Sequence, residues 1–244
     1  MVSFPIFRSF AGLQCLVSTR PGGFSAGGYA GLNLGMHTGD QGSSVRKNRD
    51  YFFRHLGLSE QQVAFGEQVH SARVRRVDQA GIYQQTDALI TAEKNVFLAV
   101  LIADCFPVFL FDPGSAAVAV IHAGWRGTQA GIIENTLEKL KAELAVSAGR
   151  ISAAIGPGLQ SECFEVRKDV YELFAPCYLS VHPAADKRYL NLRQVIVDKL
   201  LQQGVPQQQI EWSSDCTFCS AAKYYSFRRE GKNSGRMMGI IGIK

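Results

Sequence analysis

Residues 97–128 read FLAVLIADCFPVFLFDPGSAAVAVIHAGWRGT, and this stretch decides the fold that the sequence predicts. It contains three short apolar runs, at Phe97–Ala103, Val108–Phe111 and Ala116–Ile121. Runs that are this short and this apolar are typical of strands buried on both faces of a sheet. The turn sequence DPG at 112–114 predicts that the second run folds back on the third. We therefore expect an antiparallel hairpin at the centre of the core.

Chemically reactive side chains stand at the ends of these predicted strands. Cys105 follows the first run, His122 follows the third, and His70 lies upstream in the sequence GEQVHS. A catalytic zinc ion takes three such protein ligands and leaves one position open. Asp104 could accept a hydrogen bond from a ligand histidine or could cap a turn. The alternative is that the cysteine is inert core and the histidines are loop residues with satisfied hydrogen bonds.

Composition narrows the class of protein. The chain has 244 residues, of which 46% are hydrophobic and 19% charged, with a formal net charge of +5. These are values of a globular protein, and the scattered basic residues argue against nucleic-acid binding. No apolar run reaches the length of a membrane span, and the start lacks the pattern of a secretion signal. We expect one domain over residues 1–244, a cytoplasmic protein with its six cysteines as thiols or ligands, and a monomer or homodimer.

Periodicity and turn residues place further elements on both sides of the central stretch. We expect mixed α/β structure with much antiparallel sheet. The predicted strands are Leu13–Ser18, Val63–Val69, Arg73–Val77, Ile151–Ile155, Ile210–Ser213, Tyr224–Phe227 and Met237–Ile243. The predicted helices are 43–55, capped by Ser43 or Ser44, then Thr128–Val146, Arg167–Phe174 and Leu192–Leu201.

Three further segments carry candidate binding residues. The glycine-dense segment 20–31 is a surface loop or, through Arg20, the rim of a pocket. Arg46 and Asn48 lie at the start of the first predicted helix, and each could line a site or a solvated face. The turn HAGWRGT at 122–128 offers free amides and Arg126 to an anion, or else merely caps the helix at Thr128.

The remaining cysteines leave a second enzyme class open. Cys216 and Cys219 have CxxC spacing, but no second pair completes a zinc knuckle, and we interpret them as structural. Cys163 follows the sequence GPG at the end of a predicted strand and could reach the pocket. A thiol hydrolase that uses Cys105 or Cys163 with His122 is therefore an alternative to a metal enzyme.

Six motifs occur in an order that resembles the YfiH family, first described as a multicopper polyphenol oxidase or laccase domain. They are GEQVHSARV, TDALIT, ADCFPVFLFDP, IHAGWRGT, AAIGP followed by CFEV, and the tail CTFC–YYSFRR–GRMMGIIGI. The resemblance implies four α/β/β/α layers built from a duplicated β-α-β-β unit, an arrangement shared with a cysteine-hydrolase toxin domain. It also implies zinc ligands at His70, Cys105 and His122, the trio already chosen from the residues. Gly158 stands where many members carry a cysteine.

The resemblance further implies a purine nucleoside phosphorylase with small-molecule partners, a nucleoside and phosphate. Substrates would be adenosine, inosine, guanosine and methylthioadenosine, and adenosine deamination would be a second activity. Our candidates for substrate binding are Arg46, Arg126, Asn33, Asn48 and Cys163. The alternatives are a Cys–His or zinc hydrolase that edits a UDP-linked peptidoglycan precursor, and a binding protein whose metal is only structural.

The histidine count tests the laccase description. A multicopper oxidase needs a histidine-cysteine copper site and a separate histidine-rich cluster. The chain has five histidines, at positions 37, 55, 70, 122 and 182, and the trio uses two of them. Three scattered histidines cannot build the second cluster, so we expect zinc, with a single copper and phenol oxidation as the less favoured alternative.

Overall fold

The computed structural model describes residues 1–244 and contains fifteen strands and six α-helices. The strands are β1 (Val2–Ser3), β2 (Leu13–Val17), β3 (Val63–Gly66), β4 (Val74–Arg76), β5 (Gly81–Tyr83), β6 (Ala88–Thr91), β7 (Phe97–Ile102), β8 (Phe106–Asp112), β9 (Ala117–Ala123), β10 (Ser152–Ile155), β11 (Glu165–Arg167), β12 (Leu179–Val181), β13 (Lys187–Leu190), β14 (Ile210–Trp212) and β15 (Met237–Ile243). The helices are α1 (Gly42–His55), α2 (Trp125–Gln129), α3 (Ile132–Leu144), α4 (Lys168–Tyr171), α5 (Leu192–Gln202) and α6 (Phe227–Glu230).

The predicted central hairpin is confirmed. Strands β8 and β9 pair antiparallel from Phe106↔Ala123 to Asp112↔Ala117, and every residue of both strands is buried. The Asp112 carboxylate closes the turn by accepting hydrogen bonds from the Gly114 amide and the Ser115 hydroxyl. Because both faces of these strands are covered, the sequence shows continuous apolar runs rather than an alternating pattern.

The strands form two large sheets and one small one. The first sheet has the order β1-β2-β15-β7-β3-β5 and the second β14-β10-β8-β9-β6-β4; a three-stranded sheet has the order β11-β13-β12. Both large sheets mix parallel and antiparallel pairs, for example β3 with β7 and β7 with β15. The predicted mixed α/β class is confirmed.

Three apolar clusters show that the large sheets and helices form four layers. Helix α1 packs on the outer face of the first sheet through Phe52 and Phe53, which share a cluster with Phe97. A second cluster, which includes Leu98 and Phe109, lies between the two sheets. Helices α3 and α5 cover the outer face of the second sheet. The order is α/β/β/α, and each large sheet contains one strand–helix–strand passage, β2–α1–β3 and β9–α3–β10.

Two predicted helix boundaries are wrong for local backbone reasons. Helix α1 begins at Gly42, and its N-cap is Gln41, which makes no side-chain cap, so neither predicted serine caps it. The predicted helix 128–146 is two helices, because Gly131 adopts a left-handed φ of 91° between α2 and α3. Glycine reaches that conformation without the steric penalty of a Cβ. Thr128 therefore lies inside α2 rather than capping a longer helix.

The predicted strand Tyr224–Phe227 is also wrong. Tyr224 and Tyr225 are fully buried, which explains their apolar appearance in the sequence. Their amides bond to the Ser220 carbonyl and the Met237 sulfur instead of to a neighbouring strand. Ser226 then caps α6 by accepting a hydrogen bond from the Arg229 amide. The apolar pattern here therefore reflects burial of the side chains and not pairing in a sheet.

Two of the connections between the large sheets position the candidate site. The chain passes from β7 in the first sheet to β8 in the second through residues 103–105, and from β3 to β4 through residues 67–73. The carboxyl end of β9 lies beside them, since the His122 amide donates to the Asp87 carbonyl. None of the six helices combines the length and apolar character that crossing a bilayer requires.

Candidate functional site

The three predicted ligands converge although they are far apart in the sequence. One potential ligand atom from each of His70, Cys105 and His122 lies within 4.8 Å of the other two. The imidazole rings of the two histidines have centroids 4.8 Å apart and are nearly perpendicular. His122 is buried at the end of β9, Cys105 is half-buried, and His70 is exposed. The cluster therefore has one open side.

Unusual backbone conformations beside the ligands hold the three side chains together. His70 has a φ of 60° and Asp104 a φ of 91°, both in the left-handed region that residues other than glycine adopt infrequently. A Cβ on Gly124 would lie 2.9 Å from the Cys105 sulfur and 3.4 Å from the His70 ring. Only glycine lets the chain after β9 approach the two ligands so closely. Strained residues of this kind concentrate at functional sites.

Asp87, which was not among the residues predicted from the sequence, organises the cluster. Its carboxylate accepts hydrogen bonds from the amides of Val69, His70 and Ser71, and from the Ser71 hydroxyl. The same carboxylate lies 2.9 Å from Nδ1 of His122. Asp87 thus fixes the loop that carries one ligand and the ring orientation of another, leaving Nε2 of His122 for the cluster. Its signal in the sequence was a charged residue directly before the apolar run ALI in the TDALIT motif.

Asp104, the sequence-based candidate for that role, does something else. Its Oδ1 accepts a hydrogen bond from the Thr217 hydroxyl at 2.7 Å, and its Oδ2 accepts one from the Arg228 amide at 2.6 Å. Asp104 therefore ties the turn before Cys105 to the segment that leads into α6.

The electrostatics of the cluster favour an ionised thiol. Burial alone would raise the pKa of Cys105, but the adjacent imidazoles of His122 and His70 lower it to about 6. Burial opposes protonation of His122, whereas the Cys105 thiolate and Asp87 raise its pKa to about 9. Burial likewise opposes ionisation of Asp87, but hydrogen bonds from His122 and Ser71 lower its pKa to about 2. The arrangement places a thiolate between two imidazoles.

These residues fit a bound metal ion. Two imidazoles and a thiolate are borderline-soft donors that suit zinc, and copper accepts the same set. The carboxylate-to-histidine contact from Asp87 is the support that metal-bound histidines commonly have. The open side at His70 leaves room for a non-protein ligand.

The cluster forms part of the wall of a cavity of about 600 Å³. This volume lies within the usual range for small-molecule sites. Apolar side chains on its wall include Phe65, Leu101, Trp125, Phe164 and Phe227. Four arginines share the wall, namely Arg49, Arg126, Arg228 and Arg236, against the carboxylates of Glu67 and Asp104. The cavity can therefore receive an aromatic group and an anion beside the cluster.

The arginines differ in how far their donors are already used. Arg49 donates to the Leu34 carbonyl and pairs with Glu60, so its charge is largely neutralised. Arg236 uses Nη1 on the carbonyls of Ser234 and Gly235, which leaves Nε and Nη2 for other acceptors. Arg126 stacks on the Trp125 ring at 4.3 Å and is exposed, so its guanidinium is oriented without a carboxylate partner.

Several sequence candidates for substrate binding lie away from the cavity wall. Arg46 is exposed on α1 and does not reach the cavity. Asn48 is buried and donates to the Asn33 carbonyl at 2.8 Å, while Oδ1 of Asn33 accepts from the Arg236 amide at 2.8 Å. These asparagines hold the glycine-dense segment against α1. Arg20 is anchored by an ion pair with Glu230 and does not contribute to the wall either.

Cys163 also lies away from the cavity wall, in a second cluster. Its sulfur is 3.3 Å from that of Cys219, and Cys216 completes the group. Of the residues proposed for substrate binding, the structure thus brings only Arg126 to the cavity.

Comparison with known proteins places the chain in a family. Residues 14–244 match the family described as multi-copper polyphenol oxidoreductase laccase. The chain is 31% identical to a purine nucleoside phosphorylase of Bacteroides thetaiotaomicron, over all of this chain and 96% of that one. It is 32% identical to adenosine deaminase RL5 from an unknown prokaryotic organism, over 94% of this chain and 93% of that one.

A solved structure supports the same assignment. The crystal structure of YlmD from Geobacillus stearothermophilus superposes with a TM-score of 0.93 at 31% identity, covering 99% of this chain and 94% of that one. The chain belongs to this laccase-like YfiH family, as its six motifs indicated. Both curated relatives named above carry the names of nucleoside-processing enzymes and align over nearly their whole length.

Proposed function

We propose that this member of the laccase-like family is a zinc-dependent purine nucleoside phosphorylase, and that His70, Cys105 and His122 hold its metal. One observation carries the proposal: the ligand cluster, an aromatic wall and unneutralised arginines face the same cavity of about 600 Å³. Those are the groups that a purine, a sugar and a phosphate require together. The phosphorylase name of the Bacteroides relative supports the same reaction class.

Phosphorolysis exchanges one bond at the sugar for another. A phosphate oxygen bonds to C1′ of the ribose while the bond from C1′ to the purine nitrogen breaks, and the purine leaves with a proton. Positive charge develops at C1′ as the base departs, so the enzyme must hold the anionic nucleophile against that carbon. His70, Cys105 and His122 would hold the zinc ion, which would supply a Lewis acid beside the substrate.

The side chains of the wall divide this task. Arg126 and Arg236 hold the phosphate, because each has guanidinium donors free of carboxylate partners. Arg228 adds charge, while its amide is already bonded to Asp104. The aromatic rings of Phe164 and Phe227 pack against the purine. Arg126 was a sequence candidate for the phosphate, whereas Arg236 and Arg228 replace Arg46 in that role.

The experiment that tests this function follows the fate of adenosine. Purified, zinc-assayed protein is incubated with adenosine, inosine, guanosine or methylthioadenosine, with and without inorganic phosphate, and products are separated by chromatography. We expect free purine together with ribose 1-phosphate, or with 5-methylthioribose 1-phosphate from methylthioadenosine, formed only with phosphate present. Purine release that is independent of phosphate, or turnover by protein that holds no metal, would contradict the proposal.

Adenosine deamination is a second candidate activity for the same cavity. The specific observation is the similarity to a relative named adenosine deaminase over nearly the whole chain. The reaction replaces the amino group at C6 of adenine with oxygen from water and releases ammonia. The same assay reports it, since inosine and ammonia would appear without phosphate.

A further inference from the structure

A second cluster of potential metal ligands lies outside the cavity and has no part in the reaction above. It consists of the three thiols of Cys163, Cys216 and Cys219, whose sulfurs all lie within 4.8 Å of one another. Cys163 and Cys216 are half-buried and Cys219 is exposed. The sequence showed Cys216 and Cys219 as an isolated CxxC pair, and only the fold brings Cys163 to them from 53 residues away.

The backbone holds the three thiols in place from two sides. Residues 158 and 216 form a parallel bridge, and the Thr217 amide donates to the Gly158 carbonyl at 3.1 Å. The Ser220 amide closes the CxxC turn on the Cys216 carbonyl at 3.0 Å. On the other side, Cys163 ends a short 3₁₀ turn that begins at Ser161. The convergence therefore comes from ordered segments rather than from chance contact of loose chains.

The sulfur of Cys216 sits among hydrogen-bond donors. Backbone amides of Gln160, Phe218 and Cys219 donate hydrogen bonds to the Cys216 sulfur. Amides two and three residues after the first cysteine, pointing back at its sulfur, are the arrangement of a CxxC metal knuckle. Such hydrogen bonds stabilise the thiolate, which is the form that binds metals.

Cys163 shows why a cation would complete the cluster. Its sulfur lies 3.3 Å from that of Cys219, and the sulfur of Cys216 is also within 4.8 Å. A divalent cation bound by the three sulfurs would offset the repulsion between their thiolate forms. No lysine, arginine or histidine side chain hydrogen-bonds to any of the three sulfurs.

The spacing of the sulfurs suits tetrahedral coordination. With metal–sulfur bonds of about 2.3 Å, two sulfurs at corners of a tetrahedron are about 3.8 Å apart. The sulfurs of Cys163 and Cys219 are 3.3 Å apart, and no two of the three sulfurs are more than 4.8 Å apart, which is compatible with that separation. A disulfide would join only two of the three thiols.

We propose that Cys163, Cys216 and Cys219 form a second metal site, which binds Zn²⁺ and serves the structure rather than the reaction. Solvent supplies the fourth ligand, since Cys219 is exposed. A protein residue from position 158 does not: a Cβ there would lie 2.4 Å from the Phe106 ring.

The site would fasten the outer wall of the cavity. Phe164, Phe227 and Arg228 line the cavity. Cys163 directly precedes the first of these residues, and the segment after Cys219 leads to the other two. Thr217, within the CxxC turn, also bonds to Asp104 beside Cys105. A metal bridge from 163 to 216–219 would therefore join two segments that carry wall residues.

The test counts metal ions and does not depend on turnover. Reduced protein is loaded with Zn²⁺, freed of excess metal, and analysed for zinc per chain. We expect about two zinc ions in the unaltered protein and about one in Cys219→Ser. Cys177→Ser, which changes an exposed cysteine outside both clusters, is the matched control and should keep about two. Cys163→Ser is the second variant, and circular dichroism establishes that each variant is folded.

Cobalt gives an independent signal. In Cys105→Ser the first cluster has lost its only sulfur, so thiolate-to-cobalt charge-transfer absorption after loading with Co²⁺ must come from the three cysteines. We expect this absorption in Cys105→Ser and its loss in the double variant with Cys219→Ser. Equal zinc in Cys219→Ser and unaltered protein, no cobalt–thiolate band in Cys105→Ser, or a Cys163–Cys219 disulfide in the zinc-loaded protein would each overturn the proposal.

Discussion

The two ligand clusters are built in opposite ways. His70, Cys105 and His122 stand where the chain crosses between the two large sheets and at the end of the buried strand β9. Cys163, Cys216 and Cys219 are held by surface turns, with one thiol exposed. The first cluster opens into the cavity, and the second lies behind its wall. Core strands and the connections between them therefore position the ligands of the first cluster, whereas surface turns position the three thiols of the second.

Removing the only sulfur of the first cluster tests most directly whether this cluster, and not the second, is needed for turnover. In Cys105→Ser we expect nucleoside turnover to fall about a thousandfold or more, since the metal there supplies several kcal/mol and each factor of ten is about 1.4 kcal/mol. Steady-state kinetics measures the loss, and Cys177→Ser is the control. Near-normal turnover in Cys105→Ser would mean that the first cluster is not the reactive one.

Asp87 tests whether the first cluster needs its buried support. In Asp87→Asn the shape is kept while the charge that holds His122 and the loop at residues 69–71 is lost. We expect zinc affinity at the first cluster to fall about ten- to a hundredfold, as is usual when the partner of a ligand histidine is changed. Competition with a chromogenic chelator measures it, in a Cys219→Ser background that isolates this cluster.

The matched control for Asp87 is Asp112→Asn. Asp112 is likewise a buried carboxylate with several donors, among them Arg150 and Ser115, but it closes the β8–β9 turn. The Asp112→Asn substitution should lower the stability of the fold and leave the zinc affinity of the first cluster unchanged. Equal loss of affinity in both variants would show a general effect of disturbing the core instead of a specific role for Asp87.

The arginines test the division of the cavity wall. In Arg126→Ala we expect the KM for phosphate to rise about tenfold, because a hydrogen bond to a charged group contributes about 1.5 kcal/mol or more. Arg46→Ala changes an exposed arginine away from the cavity and should leave that KM within about twofold. Phosphate-dependence curves at saturating adenosine measure both values. A larger effect from Arg46 would reverse the assignment.

The smallest effect should come from the second cluster. In Cys219→Ser we expect turnover to stay within about threefold and the melting temperature to fall by about 2–8 °C, which corresponds to about 1–2 kcal/mol in a chain of this size. Thermal unfolding in the presence of zinc measures it. A thousandfold loss of turnover would place this cluster in the reaction and remove the distinction between the two.

Local sequence patterns were enough for most of the framework. The buried runs around the DPG turn gave the central hairpin, and the spacing of Ile133, Leu137 and Leu140 gave the buried face of α3. Such features depend on neighbours a few residues away, so periodicity reports them. The strand-end positions of Cys105 and His122 also made them candidates, because a strand end is recognisable where an apolar run stops.

The sequence-based predictions were wrong mainly where the structure depends on contacts between residues that are distant in the sequence. The strand expected at Tyr224–Phe227 failed because aromatic residues buried by other elements look the same as residues in a sheet. The helix expected from Thr128 is interrupted for a local reason instead, because Gly131 has a left-handed φ of 91° between α2 and α3. At Tyr224–Phe227, by contrast, tertiary packing overrode the local pattern.

The amino-acid sequence by itself determined the hairpin, the mixed α/β class and the donors of the first cluster, because each is written in short runs and their boundaries. Only the tertiary structure selected Asp87 over Asp104 as the partner of His122, and Arg236 over Arg46 at the cavity. It alone brought Cys163 to the CxxC pair. The physical reason is the same throughout: hydrogen bonds and metal sites act over a few ångströms in space, and the fold decides which distant residues come within that distance.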